Sequence, residues 1–242
     1  MIYPQDISGP QFNESDLVEF VFEGATLTLS VPAIRNNTNS VDQVTSIRDF
    51  SQVDTQDWEV DSEGAHCFNL LTQKWTFEDT KTLDDIATCW VDISIVELPE
   101  ELQNSHLALS KSRLKQYFLD ALSNALDDIK DGENTSMDKA DWPNKQNDYL
   151  YKCINRSELD WMQVQVSFVT DNLPSPLAYI PINSRFVLSA SFHMSSLHYS
   201  DRENKYSDKL IREIEFSLFD EFLNSINLRY QPEVISLIKK AN

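Results

Sequence analysis

His193 and His198 bracket the run H-M-S-S-L-H, and Asp201 follows closely. Imidazole and carboxylate groups bind metals and move protons, so their spacing decides what they can do. On a helix the two histidines do not share a face, and on a strand their odd separation puts them on opposite faces. A metal site here needs a further ligand from elsewhere, with His66 or Cys67 as candidates. Ordinary strand-end histidines are the alternative. Paired carboxylates form the second group: Glu78-Asp79, Asp84-Asp85, Glu100-Glu101 and Asp127-Asp128. Glycosidases and metal-dependent nucleases need two or three carboxylates converging on one point. A chain with 39 acids also produces such pairs as solvated surface, and no D/E-x-K pattern lies in a convincing strand.

Other chemical signatures are missing from the sequence. Only Gly9, Gly24, Gly64 and Gly132 are present, which excludes a P-loop and a GxGxxG dinucleotide loop; GxSxG and HExxH are absent as well. Cys67, Cys89 and Cys153 are odd in number and form no CxxC pattern, so reduced thiols in a cytoplasmic protein are expected, with Cys89 and Cys153 inside apolar strands. No apolar run is long enough to span a membrane, and residues 1–23 lack the basic and apolar regions of a secretion signal. N-x-S/T sequons begin at Asn13, Asn36, Asn134 and Asn155; without a secretion signal they carry no weight. No cofactor is implied.

Charge is the most informative feature. The 242 residues carry a net charge of −19, which argues against nucleic-acid phosphates and anionic membranes as partners. Residues 1–110 hold 20 acids against only Arg35, Arg48, Lys74 and Lys81, a net of −16, whereas residues 111–242 hold 19 acids and 16 bases, a net of −3. The densest stretch runs from Asp42 to Glu63. Within it, Trp58 sits among carboxylates in V-D-T-Q-D-W-E-V-D-S-E. An aromatic ring surrounded by acids in a loop suits contact with a basic protein, and the alternative is a loop residue tucked against the sheet. The expected contact residues are Asp54, Asp57, Trp58, Glu59, Asp61 and Glu63. Trp90 and Trp161 are expected to pack in the core.

These groups need elements to position them. Leu17–Phe22 and Ala25–Val31 alternate in strand fashion around Glu23-Gly24, which predicts a hairpin. Pro32 to Ser62 reads as a polar loop, and Cys67–Phe77 and Ile86–Leu98 as strands. Leu114, Phe118, Leu122, Leu126 and Ile129 recur at helical spacing over residues 110–130, and Leu210, Ile214, Leu218, Phe222 and Ile226 do so over 208–226. Further strands are predicted at Tyr149–Ile154, Leu159–Thr170, near Tyr179 and at Arg185–His198. At an offset of 97 the two helices align, and the strand around Trp90 falls on Phe186–Leu188. This fits two tandem halves, each of strands closed by a helix, although any two amphipathic helices align in this way. The expected fold class is α+β: mostly antiparallel sheet with two amphipathic helices on one face. The boundaries are 1–132 for the acidic half, 133–148 for a linker and 149–242 for the second half, which can pack as one domain. The ending F-L-N-S-I-N-L of the second helix resembles the closing helix of PsbP-like domains. That resemblance implies strands of a curved sheet before a final helix and nothing about function.

The functional expectation is a non-enzymatic, acidic interaction protein that binds a basic protein. Its concrete form is an immunity protein or antitoxin-like inhibitor of a basic effector. A small metal- or carboxylate-dependent hydrolase and a chaperone or adaptor are the alternatives.

Overall fold

The computed structural model describes residues 6–33, 42–60, 65–103, 109–120, 149–156, 159–166, 176–196 and 208–242. The predicted hairpin is present. β2 (Gln11–Phe22) pairs antiparallel with β3 (Ala25–Ala33) around Gly24, whose φ of 77° lies in the left-handed region that glycine enters without strain. Alternation sends Phe20, Phe22, Leu27, Leu29 and Val31 inward and leaves Leu17, Glu19 and Val21 outside. β12 (Asn227–Tyr230) adds to β3 and completes a three-stranded sheet.

The larger sheet contains the chain's central strands. β6 (His66–Asp79) and β7 (Asp85–Glu97) form one long hairpin, and β11 (Phe186–Ser196) lies on the other side of β7. β10 (Pro176–Pro181), β9 (Leu159–Val166) and β8 (Tyr149–Arg156) continue the sheet outward. On the other edge, β6 pairs with β1 (Ile7–Ser8), β4 (Asp42–Val44) and β5 (Glu59–Val60). All these pairings are antiparallel. The β7–β11 register, from Phe186 opposite Glu97 to Ser196 opposite Ala87, joins strands of the two sequence halves into one sheet.

One face of this sheet carries the main core. Val91, Ile93 and Ile95 of β7 point into it, as do Leu188, Ala190 and Phe192 of β11. The three-stranded sheet and α3 (Asp208–Ser225) cover that face; Phe12 meets Trp75 and Phe222 edge-on, and Phe222 meets Trp75 at a tilt. Ala178 and Ala190 lie side by side across β10 and β11, where small side chains keep the sheet surface low. Glu215 of α3 is fully buried, and its Oε1 accepts a hydrogen bond from the Met194 amide at 2.8 Å, so the carboxylate has a donor in the apolar interior. Arg156 of β8 forms a fork to Asp220 of α3, with Nε to Oδ1 at 3.2 Å and Nη2 to Oδ2 at 2.9 Å.

The α+β class with mostly antiparallel sheet is what the structure shows, but the two predicted helices do not share a face. α2, described over 111–120, buries Leu114 and Phe118 against Leu98, Met162 and Val187. Neighbouring residues Trp161, Ala178, Ile180 and Leu188 belong to the core on the other face. Strand alternation therefore places α2 and α3 on opposite sides of the sheet. A two-fold relation between antiparallel neighbours β7 and β11 preserves the faces of the sheet. Ile93 of β7 pairs with Ala190 of β11, but the helices aligned at the same offset lie on opposite faces and do not follow such a relation. Helical periodicity shows that a helix has an apolar stripe; it does not show which sheet face receives the stripe.

The remaining helices are α1 (Glu100–Gln103) and α4 (Pro232–Ala241), and the sequence reading missed α4 along with β12. α4 begins with Pro at its first position and buries Val234. The Gln231 amide donates to the Gly24 carbonyl at 2.9 Å, which fastens α4 to the β2–β3 turn. No described helix is long and apolar enough to cross a membrane. The predicted linker over 133–148 lies outside the described residues.

Candidate functional site

The acidic segment lies at one end of the central strands, where β6 and β11 begin and β7 ends. Its backbone is held at several points. Val21 and the 48–50 segment exchange hydrogen bonds, with the Val21 amide to the Arg48 carbonyl at 2.8 Å and the Phe50 amide to the Val21 carbonyl at 2.7 Å. Phe50 then stacks on Phe22 at 5.2 Å. Trp58 is the second anchor. It is 8% exposed, stacks on Phe186 at 5.7 Å and leans on Phe68 at 5.2 Å.

Arg185 is the third anchor and comes from the distant end of the sequence. Its Nε donates to Glu97 Oε1 at 2.6 Å, Nη2 to Thr55 Oγ1 at 3.2 Å, and Nη1 to the Val53 carbonyl at 3.3 Å. The guanidinium also lies over the Phe186 ring at 4.8 Å. One planar cation thus joins the loop to β7 and β11, a task suited to its rigid fork of donors. Asn183 orients this corner: its Oδ1 accepts from the Arg185 and Phe186 amides, both at 2.8 Å, and its Nδ2 donates to the Glu23 carbonyl at 2.9 Å. Neither Arg185 nor Asn183 was singled out from the sequence. Arg185 reaches Glu97, Thr55 and Val53 across 88, 130 and 132 positions, and Asn183 reaches Glu23 across 160, so no local pattern announces these contacts.

On this framework Asp49, Asp54, Asp57 and Glu59 are exposed, and among the described residues no basic side chain ion-pairs with them. Asp49 Oδ1 accepts from the Ser51 hydroxyl at 2.6 Å and from its amide at 2.9 Å, and these bonds hold its carboxyl below the usual range. Asp54 caps its own turn through the Gln56 amide at 3.1 Å. Asp57 and Glu59 border a depression of about 570 Å3 together with Asn69 and Thr72, and an edge of Trp58 reaches its wall. The structure therefore brings Asp57, Trp58 and Glu59 together and sets Asp54 apart. Asp61 and Glu63 lie outside the described residues. Trp58 is not the exposed apolar contact expected from its acidic surroundings: packing against Phe50, Phe68 and Phe186 removes the ring from water, and this outweighs the polarity of its neighbours in sequence.

Other expectations change as well. Trp161 is fully buried as expected, but Trp90 is 37% exposed on the outer face, with Lys74 Nζ at 5.3 Å from its ring centre. Cys89 is buried, and burial, reinforced by the nearby Glu215 charge, pushes its thiol well up; Cys153 is exposed rather than inside the apolar layer. His193 is exposed on the outer face, and His198 and Asp201 lie outside the described residues. Among the described residues no three His, Cys, Asp or Glu side chains converge in a way that could hold a metal ion.

Compared with known proteins, the chain matches no family model, no curated protein and no solved structure. The resemblance of Phe222–Leu228 to a PsbP-like closing helix thus rests on those residues alone. In the structure they leave α3 and enter β12.

Proposed function

We propose that this chain is a non-catalytic interaction protein whose acidic loop recognises a basic protein. The supporting observation is the combination of exposed carboxylates at Asp54, Asp57 and Glu59, which have no ion pair among the described residues, with a backbone locked by Trp58 and Arg185. Charges held on an ordered loop steer an approaching basic surface, and little loop entropy is lost on contact. An inhibitor of a basic effector, in the manner of an immunity protein or antitoxin, is the concrete form of this reading, with the cytoplasm as its compartment. Trp58 acts in it as the internal support of the loop, and the carboxylates provide the contact.

The test compares the wild-type chain with Asp54→Asn/Asp57→Asn/Glu59→Gln. Each is used to capture basic proteins from source cells, and association of the captured protein is then followed across salt concentrations. The triple variant is expected to associate more slowly and with a flatter salt dependence. Equal rates and equal salt slopes would reject the proposal.

A further inference from the structure

A second depression, of about 600 Å3, lies on the other side of the loop, between the start of β6, the end of β7, α1 and α2. Its volume falls in the range of small-ligand sites. Glu97, Glu100, Gln103, His66, Tyr117 and Arg185 contribute to its walls. Arg185 is already committed to Glu97, Thr55 and Val53, so its charge is neutralised within the wall. Glu100 is exposed and has no ion pair among the described residues. Gln103 donates its amide to the Leu98 carbonyl, which turns the side-chain oxygen into the available acceptor. His66 Nδ1 is buried and has no hydrogen-bond partner among the described residues. A buried ring nitrogen in that state costs free energy until a hydrogen-bond partner meets it. The cleft thus offers two acceptors (Glu100 and the Gln103 carbonyl) and an unpartnered His66 ring nitrogen beside the aromatic ring of Tyr117.

We infer that this cleft receives an arginine side chain of the basic partner. This inference rests on the proposed function and names the group that its partner inserts. A guanidinium supplies several N–H donors in one plane, matches the excess of acceptors and stacks on an aromatic ring. Its positive charge meets Glu100, while the Arg185–Glu97 pair keeps the rest of the wall neutral.

The experiment titrates the full chain with N-acetyl-arginine amide, using the uncharged citrulline analogue as control and following backbone and His66 ring signals by NMR. Expected are saturable shifts confined to residues around His66, Glu97–Gln103 and Tyr117, with none for citrulline. Glu100→Gln, an exposed position, is expected to weaken binding about tenfold, the loss of one charge-assisted contact. Shifts spread over Asp54, Asp57 and Glu59, or saturable binding unaltered in Glu100→Gln, would overturn the cleft assignment, as would the absence of saturable shifts. The loop triple variant separates the two readings. If it loses partner capture while the wild-type cleft takes no arginine probe, the cleft falls and the acidic loop stands. If arginine saturates the cleft but loop neutralisation leaves partner association unchanged, the loop falls instead.

Discussion

Replacing Trp58 by Ala separates its two possible roles most sharply. The indole is 8% exposed and contacts Phe50, Phe68 and Phe186 at ring separations of 6.2, 5.2 and 5.7 Å. Truncating an aromatic residue packed in this way costs about 3–5 kcal/mol through lost transfer energy and the cavity left behind. For a chain of this size each kcal/mol moves Tm by roughly 2–4 °C, so the expected fall is about 6–20 °C. Differential scanning calorimetry with a parallel urea titration measures it. Trp58→Phe should recover much of the loss, because an aromatic ring still fills part of the site. A contact residue that mainly serves a partner would give the opposite result: a Tm within about 2 °C of wild type, as for surface substitutions. That result would refute the assignment of Trp58 as the loop's anchor.

Gly24→Ala should lower stability by about 1 kcal/mol or more, since the position has a positive φ and a new Cβ meets Val234 Cγ2 at 2.6 Å; urea unfolding reads the change. Thiol titration with a disulfide reagent should label exposed Cys153 first and leave buried Cys89 unreacted until the chain is unfolded; rapid labelling of Cys89 in the folded protein would contradict its burial. Tyr230 donates to the Pro181 carbonyl at 2.6 Å, and its burial raises the phenol pKa. Because the folded value lies above the unfolded one, this contribution is fully present below about pH 10 and is lost as pH rises beyond it, as the unfolded chain ionises first. Tyr230→Phe should flatten the fall in stability above that pH, and equal alkaline profiles for both proteins would count against the assignment.

Much of the element plan was legible in the sequence because it depends on local periodicity. β3, β6, β7, β11 and α3 fall close to their predicted spans, since alternation or a three- and four-residue rhythm runs through each, whereas β2 begins at Gln11, well before the predicted Leu17. β12 and α4 escaped because their signals are short and follow a helix whose rhythm reads on into them. Trp90 and Cys153 were misplaced for a different reason: an apolar residue type in a strand does not reveal which face of the strand it occupies. The acidic segment was visible from composition alone. Its exposure was legible for Asp54, Asp57 and Glu59, whereas the burial of Trp58 depends on Phe186, which lies far along the chain.

The sequence by itself determined the uneven charge, the absence of the common phosphate-binding and nucleophile motifs, and the order of the longer strands and helices. These follow from residue type and near-neighbour spacing. Only the tertiary structure decided that β7 and β11 join the two halves, that α2 and α3 take opposite faces, and that Arg185, oriented by Asn183, locks the acidic loop. Each of these depends on contacts between residues distant in the chain, where shape and unsatisfied hydrogen bonds select the partner and local propensity is silent.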